Sequence, residues 1–143
     1  MDHGSTANTF EVIMRFQRDL RIKYKHQKNA GVSMARNRGI NYAQGEYLLF
    51  LDSDDEVTSN WLQDYYEIIK ENTNIGIISC GIKLPDGNKR LPRINKKISN
   101  YKYQNLTGSF LLNRKVFKGI KGYDINLNHS ENWELMARAL EYC

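Results

Sequence analysis

Residues 29–55 read NAGVSMARNRGINYAQGEYLLFLDSDD, and this stretch decides the fold. A turn at residues 28–31 predicts a helix over residues 33–43, which Gly45 would end. The apolar run at residues 47–51 is too short for a helix and favours a strand buried on both faces. Three aspartates and a glutamate follow within five residues, so a helix, a strand and an acidic turn succeed one another.

The rest of the chain continues the alternation of helices and short apolar strands. Apolar periodicity predicts helices over residues 6–19, 60–71 and 130–142. Strands are expected at RIKYKH (21–26), IGIISCGI (75–82) and LTGSFLLN (106–113), with a turn at residues 85–87. This pattern predicts an α/β fold with a mainly parallel sheet and flanking helices. In such sheets the ligand lies beyond the carboxyl ends of the strands, where the acidic turn falls.

Length and composition are those of a globular domain. The chain has 143 residues, of which 41% are hydrophobic, and we expect one domain over residues 1–143. No apolar run approaches the roughly 18 residues of a membrane span, and the N-terminus lacks a signal-peptide pattern. The two cysteines give neither a disulfide framework nor a metal-ligand spacing. The default expectation is a cytoplasmic protein, which could also work at the inner face of the membrane.

The net charge is +5, and basic residues are concentrated between Lys83 and Lys102, where Asp86 is the only acidic residue. One interpretation is a solvated loop or hairpin. The other is a surface for an anionic partner, such as a sugar-nucleotide diphosphate, an anionic acceptor, a membrane surface or nucleic acid. Charge alone does not choose among them.

Four interpretations compete for the acidic turn at residues 52–55. Helix capping explains one carboxylate, but hardly three. An EF-hand loop fails, because Val57 and Gln63 stand where Gly and Glu are required. A phosphatase of the aspartyl-phosphate type would show a different turn next and a later acidic metal motif. An Asp-x-Asp turn that binds Mg²⁺ or Mn²⁺ on a nucleotide diphosphate accounts for the crowded carboxylates.

Residues 29–55 resemble the central signature of the family 2 glycosyltransferases, which have the Rossmann-like GT-A fold. The match is long and gapless, and it includes Gly31, Ala35-Arg36-Asn37, Gly39, Gly45 and the acidic turn. DHGSTANT at residues 2–9 resembles the family's Asp-Asp-Gly-Ser-Thr-Asp-Asn-Thr, and residues 107–140 resemble its acceptor-side half. The resemblance covers nearly the whole chain, so a GT-A fold and a transferase activity are expected.

On the donor side, the resemblance implies a role for each matching residue. Asp54 would ligate the metal on the diphosphate, and Asp52 would face the ribose or the polar edge of the nucleotide. Asp55 would be a nearby helper. The other residues expected to bind the nucleotide-sugar are Asp2 near the base, Asn29, Gly31 and Arg36, the last as a ligand or a charged support.

On the acceptor side, the resemblance points to two segments. Thr107, Gly108 and Ser109 would approach the sugar and the acceptor. The family's Glu-Asp pair, whose acidic member deprotonates the acceptor hydroxyl, aligns with Glu131 and Asn132. These two are therefore the expected catalytic positions.

Three positions depart from the family pattern. Met1 falls where the family is already at its second strand, so the usual first strand and helix are not within residues 1–143, and the domain is expected to be truncated. His3 replaces the second acidic residue of Asp-Asp-Gly-Ser. Asn132 replaces the expected aspartate, and an amide takes no proton near pH 7. Glu131 could substitute, although neighbouring helical residues point about 100° apart.

The leading hypothesis is an inverting, metal-dependent glycosyltransferase domain with Mn²⁺ or Mg²⁺ as cofactor. It would move a sugar from a nucleotide-diphospho-sugar, a UDP-sugar first of all, to a hydroxyl of a glycan or glycoconjugate acceptor in polysaccharide or glycoconjugate synthesis. The alternative is a truncated, catalytically impaired remnant that binds nucleotide or a partner chain. An unpaired strand edge would favour self-association through the incomplete sheet. No nucleic-acid partner is expected, because no recognition motif accompanies the basic segment.

Overall fold

The structure, a computed structural model, describes residues 1–5, 8–16, 18–72, 74–91 and 109–143. Within them five helices and five strands form a mixed α/β structure, although the four strands after α3 follow one another without a helix between them. The helices are α1 (Thr9–Met14), α2 (Val32–Tyr42), α3 (Trp61–Glu71), α4 (Arg114–Gly119) and α5 (Glu131–Tyr142). The strands are β1 (Tyr47–Leu49), β2 (Ile77–Ser79), β3 (Ile82–Lys83), β4 (Lys89–Arg90) and β5 (Phe110–Asn113).

The main sheet has β5 in its centre, with β1 on one side and β2 on the other. Both neighbours pair antiparallel with β5, so that Leu48 and Ile77 both lie opposite Leu112. β1 and β2 therefore run in the same direction, but they do not touch. The α/β class is as expected, whereas the described pairs differ from a mainly parallel sheet, because a strand from late in the chain separates the two parallel ones.

The core lies where this sheet meets α4 and α5. Phe110, Leu112, Phe117, Leu135 and Met136 are each at most 2% exposed. Leu135, Met136 and Ala139 recur on one face of α5, at the three- and four-residue spacing that turns one stripe of a helix inward. The core fixes the start of α5 relative to the end of β1.

The N-terminal elements are shorter than the sequence indicates. The helix predicted over residues 6–19 is confined in the described residues to α1, none of whose residues is buried. The strand predicted at residues 21–26 reduces to one parallel bridge between Asp2 and His26. Few apolar contacts hold this region, and isolated short helices and single-strand pairs are marginal without them.

The strand predicted at residues 75–82 is interrupted and serves two sheets. β2 joins the main sheet, while β3 pairs with β4 in a separate hairpin. Its turn is closed by the Leu84 N–H, which donates to the Asn88 carbonyl at 2.7 Å, and by Asp86, which accepts from the Asn88 N–H at 2.9 Å. The first part of the basic segment is thus a hairpin, and its residues 92–102 lie outside the described residues.

Candidate functional site

A cleft of about 980 Å³ opens at the carboxyl end of β1. Its lining brings together residues from four distant parts of the chain. The polar side chains among them that the sequence singled out are Asp2, Arg36, Asp52, Asp54 and Glu131. The structure therefore gathers five of the predicted site residues around one cavity.

Arg36 links the two sides of this cleft. It lies on α2, and its side chain is only 8% exposed. Its Nη1 donates to Glu131 Oε1 at 2.9 Å, and its Nη2 donates to Asp52 Oδ1 at 3.1 Å. One guanidinium thus holds a carboxylate at the end of β1 and another at the start of α5.

The ring of Tyr123 lies behind the guanidinium. Arg36 Cζ is 5.4 Å from the ring centroid, a distance at which the cation is attracted to the aromatic face. Asn37 fixes the backbone of Tyr123 from both sides: it donates to the Tyr123 carbonyl at 2.8 Å and accepts from the Tyr123 N–H at 2.8 Å. The residue next to Arg36 therefore secures the platform on which Arg36 rests.

Burial and neighbouring charges shift the pKa values of these two groups. Burial acts to lower the pKa of Arg36, but the interactions with Tyr123, Glu131 and Asp52 outweigh it, and the net pKa is raised. Burial is the main cause that raises the pKa of the Tyr123 hydroxyl. Near pH 7 the site thus contains a permanent cation and a neutral phenol that donates.

Glu131 and Asn132 occupy different surroundings at the start of α5. Glu131 lines the cleft and is 18% exposed. Asn132 Oδ1 accepts the Tyr123 hydroxyl at 3.0 Å and approaches Arg36 Nη1 at 3.4 Å. Of the two expected catalytic positions, only Glu131 carries a carboxylate, and it is the one that faces the cavity.

Asp2 also lines the cleft and is 8% exposed. Its Oδ2 accepts the Tyr24 hydroxyl at 2.7 Å, and its Oδ1 accepts the Ser5 N–H at 3.0 Å. The Ser5 N–H first, and then the Tyr24 hydroxyl, lower the pKa of Asp2 well below its usual range. Asp2 is therefore a fixed anion held by its own loop.

The remaining predicted residues lie outside the cleft lining. Asn29 Oδ1 accepts the Gly31 N–H at 3.1 Å and shapes the loop before α2, where Gly31 has φ +85°. Ser109 is fully buried at the start of β5. Asp55 closes the acidic turn, its N–H donating to the Asp52 carbonyl at 3.2 Å. Thr107 and Gly108 lie outside the described residues.

The acidic turn contributes two carboxylates to the cleft. Within the described ranges no group of three or more His, Cys, Asp or Glu side chains is arranged to hold a metal ion. Asp52 and Asp54 both line the cleft, and the Asp52 side chain is 43% exposed. Two carboxylates beside an open cavity suit a hard cation that takes its other ligands from phosphate and water.

Three residues of the site carried no prediction from the sequence. Tyr24 holds Asp2, while Asn37 and Tyr123 hold Arg36. Tyr24 and His26 alternate along RIKYKH, and this spacing places both on the face that meets Asp2. Tyr123 gives no such local signal, since its role depends on a contact with Asn37, 86 positions earlier in the chain.

Comparison with known proteins identifies relatives over most of the chain. The model of the family "Glycosyl transferase family 2" matches residues 1–125. Glycosyltransferase GlyG of Streptococcus pneumoniae is 40% identical over 73 residues, which are 50% of this chain and 24% of that protein. The uncharacterized glycosyltransferase EpsJ of Bacillus subtilis is 40% identical over 74 residues, which are 52% of this chain and 21% of that protein.

A solved structure extends the likeness to the whole fold. Residues 1–349 of S. aureus TarS superpose with a TM-score of 0.81 at 22% identity, over 97% of this chain and 44% of that one. This confirms the expected GT-A fold. The chain spans less than a quarter of the length of GlyG and of EpsJ. In the part of the chain that the structure describes, no helix is long and apolar enough to cross a membrane.

Proposed function

The chain belongs to glycosyl transferase family 2, and on that premise we propose that it forms the donor-binding part of an inverting glycosyltransferase. A sugar passes from a nucleoside diphosphate to a hydroxyl of a glycan or glycoconjugate acceptor. The bond from the anomeric carbon to the diphosphate oxygen breaks, and its electron pair leaves with the diphosphate. The acceptor oxygen bonds to the opposite face of that carbon, and its proton passes to a carboxylate.

One observation carries this proposal: acidic groups from the two halves of the chain meet across one cleft. Asp52 and Asp54 lie on the side of β1, and Glu131 lies on the side of α5. Transfer requires a donor and an acceptor side by side, with an acid-base group at their junction. Carboxylates from both parts of the chain in one cleft support this arrangement.

A divalent cation fits the donor side of the proposal. Asp54, supported by Asp52, would hold Mn²⁺ or Mg²⁺, because both ions prefer oxygen ligands and keep positions for phosphate. When bound, the cation supplies Lewis-acid stabilisation of the charge that develops on the departing diphosphate. Asp2 lines the same cleft, and we place the nucleoside beside it.

Glu131 is the proton acceptor in this proposal. Arg36 engages its Oε1, which orients the carboxylate and leaves Oε2 for the acceptor hydroxyl. Asn132 takes no proton and is directed toward Tyr123. A positioned general base contributes about 10²- to 10⁴-fold to the rate, so this assignment is open to direct measurement.

A second candidate function is nucleotide binding without transfer. It is favoured by Asn132, which places an amide where the family resemblance implies the proton-accepting aspartate. In that case the donor side of the cleft works, but a bound sugar is not moved. Binding and turnover must therefore be measured separately.

Titration calorimetry with UDP tests the donor site. UDP should bind in the presence of Mn²⁺, and Asp54→Asn should weaken this binding at least about tenfold, since one charge-assisted contact is lost. Asp55→Asn is the matched control, because it removes an equal charge from the same turn but outside the cleft lining. If the affinities for UDP and GDP change neither when Mn²⁺ is omitted nor in Asp54→Asn, the metal role is refuted.

UDP release from a panel of UDP-sugars then tests transfer and hydrolysis. Glu131→Gln should lower turnover at saturating donor by about 100-fold or more. Turnover that survives Glu131→Gln unchanged would exclude Glu131 as the base. Tight metal-dependent UDP binding without turnover of any donor would establish the second candidate.

A further inference from the structure

We propose that Arg36 is a positioning residue that clamps the donor side of the cleft to the acceptor side, and not a ligand of the nucleotide phosphates. This inference rests on the proposed function and names a link inside the same site. Asp52 and Glu131 are separated by the whole of the chain between β1 and α5, yet one guanidinium bonds both. A guanidinium does this with two separate nitrogens in one rigid plane, whereas a lysine offers only one nitrogen.

The clamp is held from behind. Tyr123 packs against the guanidinium and is 3% exposed, and Asn37 fixes the Tyr123 backbone with two hydrogen bonds of 2.8 Å. The backbone of Gly122 packs closely against the Asn37 side chain, since a Cβ added at Gly122 would lie 2.5 Å from Asn37 Oδ1. Because the ring that supports it is fixed, the Arg36 side chain makes its hydrogen bonds in one geometry.

The same contacts argue against a phosphate-binding role. The two terminal nitrogens of Arg36 point at Glu131 and Asp52, and the side chain is 8% exposed. A diphosphate would have to displace two carboxylates that already neutralise the guanidinium. Asp52, at 43% exposed, is the member of the trio most open to a nucleotide. Arg36 therefore acts on the nucleotide through Asp52.

The clamp couples two residues that would otherwise be independent. Removal of the Glu131 charge replaces a charge-assisted hydrogen bond to the guanidinium by a weaker neutral one, and Asp52 is then oriented less firmly. Coupling between distant sites commonly amounts to about 5- to 150-fold in affinity. We therefore expect Glu131→Gln, on the acceptor side, to weaken UDP binding about fivefold, and to do so only when Arg36 is present.

Arg36→Lys separates the two roles in one measurement. Lysine keeps the positive charge and binds phosphate well as a point charge, so a phosphate ligand would tolerate the change. A clamp would not, because the one nitrogen of lysine cannot take the positions of both Nη1 and Nη2. Calorimetry with UDP and Mn²⁺ should show an affinity loss of about tenfold in Arg36→Lys, measured at a temperature where a cooperative melt shows that the variant is folded.

Arg21→Lys is the matched control. Arg21 also pairs with an aspartate, Asp19, at 2.6 Å, but its side chain is 90% exposed and does not line the large cleft. The affinity of the Arg21→Lys variant for UDP should equal that of the wild type. The full set is the wild type, Arg36→Lys, Glu131→Gln, the double variant and this control.

Each outcome decides between the two roles. Non-additive losses, in which Glu131→Gln adds less than about twofold on the Arg36→Lys background, support the clamp. Unchanged affinity in Arg36→Lys overturns the clamp, because a phosphate ligand needs only the positive charge. Stronger UDP binding in Glu131→Gln also overturns it, because a phosphate ligand would then be freed from a competing carboxylate.

Absence of UDP binding in the wild type would refute the proposed function alone. The clamp is then tested by urea unfolding of Arg36→Met, Glu131→Gln and the double variant. The unfolding constant of the double variant should differ from the product of the single effects by at least about fivefold. Simple additivity in that cycle would overturn the clamp without reference to any ligand.

Discussion

Gly122→Ala is the change that most directly tests how the site is supported. Gly122 has φ +74°, a conformation that alanine adopts reluctantly, and it lies beside the side chain that fixes Tyr123. A Cβ at this position would lie 2.5 Å from Asn37 Oδ1 and 3.3 Å from Asn37 Cγ. Asn37 must therefore move, although its amide makes both hydrogen bonds to the Tyr123 backbone.

The expected cost has two parts. The left-handed conformation costs a residue with a Cβ roughly 1–2 kcal/mol. Loss of two part-buried hydrogen bonds adds about 0.5–1.5 kcal/mol each. The sum predicts that Gly122→Ala lowers the free energy of unfolding by about 2–5 kcal/mol.

Gly87→Ala provides the control. Gly87 also has a positive φ, +85°, but a Cβ there would meet nothing within 4 Å. It should therefore cost only the conformational part, roughly 1–2 kcal/mol. The difference between the two variants, about 1–3 kcal/mol, isolates the disturbance of Asn37.

Urea denaturation of both variants measures this difference, since a shift of the midpoint at constant slope reports stability. On an Asn37→Ala background the two glycine substitutions should cost the same, because the obstructing amide is gone. Equal costs on the wild-type background, within about 0.5 kcal/mol, would show that Asn37 does not restrain this turn, and the support described for Arg36 would have to be abandoned.

Three further predictions follow from single residues. Asn132→Asp should raise turnover less than about threefold, because this position faces Tyr123; a gain of 100-fold or more in UDP release would assign the base to residue 132 instead of Glu131. Asp2 has a lowered pKa and so contributes stability that is present above about pH 4 and lost on acidification; Asp2→Asn should therefore lose less stability between about pH 5 and pH 2 in urea titrations than the wild type does. Leu135→Ala removes a fully buried core side chain and should cost about 2–5 kcal/mol in urea unfolding, whereas an equal midpoint would contradict the packing.

Local patterns in the sequence predicted the elements that carry their own signals. The helix expected over residues 33–43 is α2, and the apolar run at residues 47–51 contains β1, with the acidic turn directly after it. Periodicity also placed α3 and α5 to within about two residues. These segments combine an apolar stripe or run with a turn or capping residue at an end, so neighbouring residues alone decide their structure.

Sheet order depends on contacts that no local pattern encodes. The run YLLFL indicates a buried strand, but nothing in it shows that its partner is β5, more than 60 residues later and antiparallel. The helix predicted in the N-terminal segment is shorter in the described structure for a related reason. Apolar periodicity at residues 6–19 predicts a helix only if a surface covers it, and no residue of α1 is buried in the described structure.

The start of α5 shows the same difference, within a single site, between what the local sequence predicts and what tertiary contacts decide. The sequence placed Glu131 and Asn132 at the beginning of a helix but did not show which of them faces the ligand. Ser130, directly before the helix, has φ +60°, and this left-handed residue sets the rotation at which the first turn begins. The Tyr123 hydroxyl donates to Asn132 at 3.0 Å, whereas Arg36 Nη1 lies closer to Glu131, at 2.9 Å, than to Asn132, at 3.4 Å. The roughly 100° between adjacent helical residues, which argued against Glu131 as a substitute base, is thus what separates the two. It turns the amide toward the supporting ring and leaves the carboxylate on the cleft, so under the proposed function tertiary contacts decide which residue is the base.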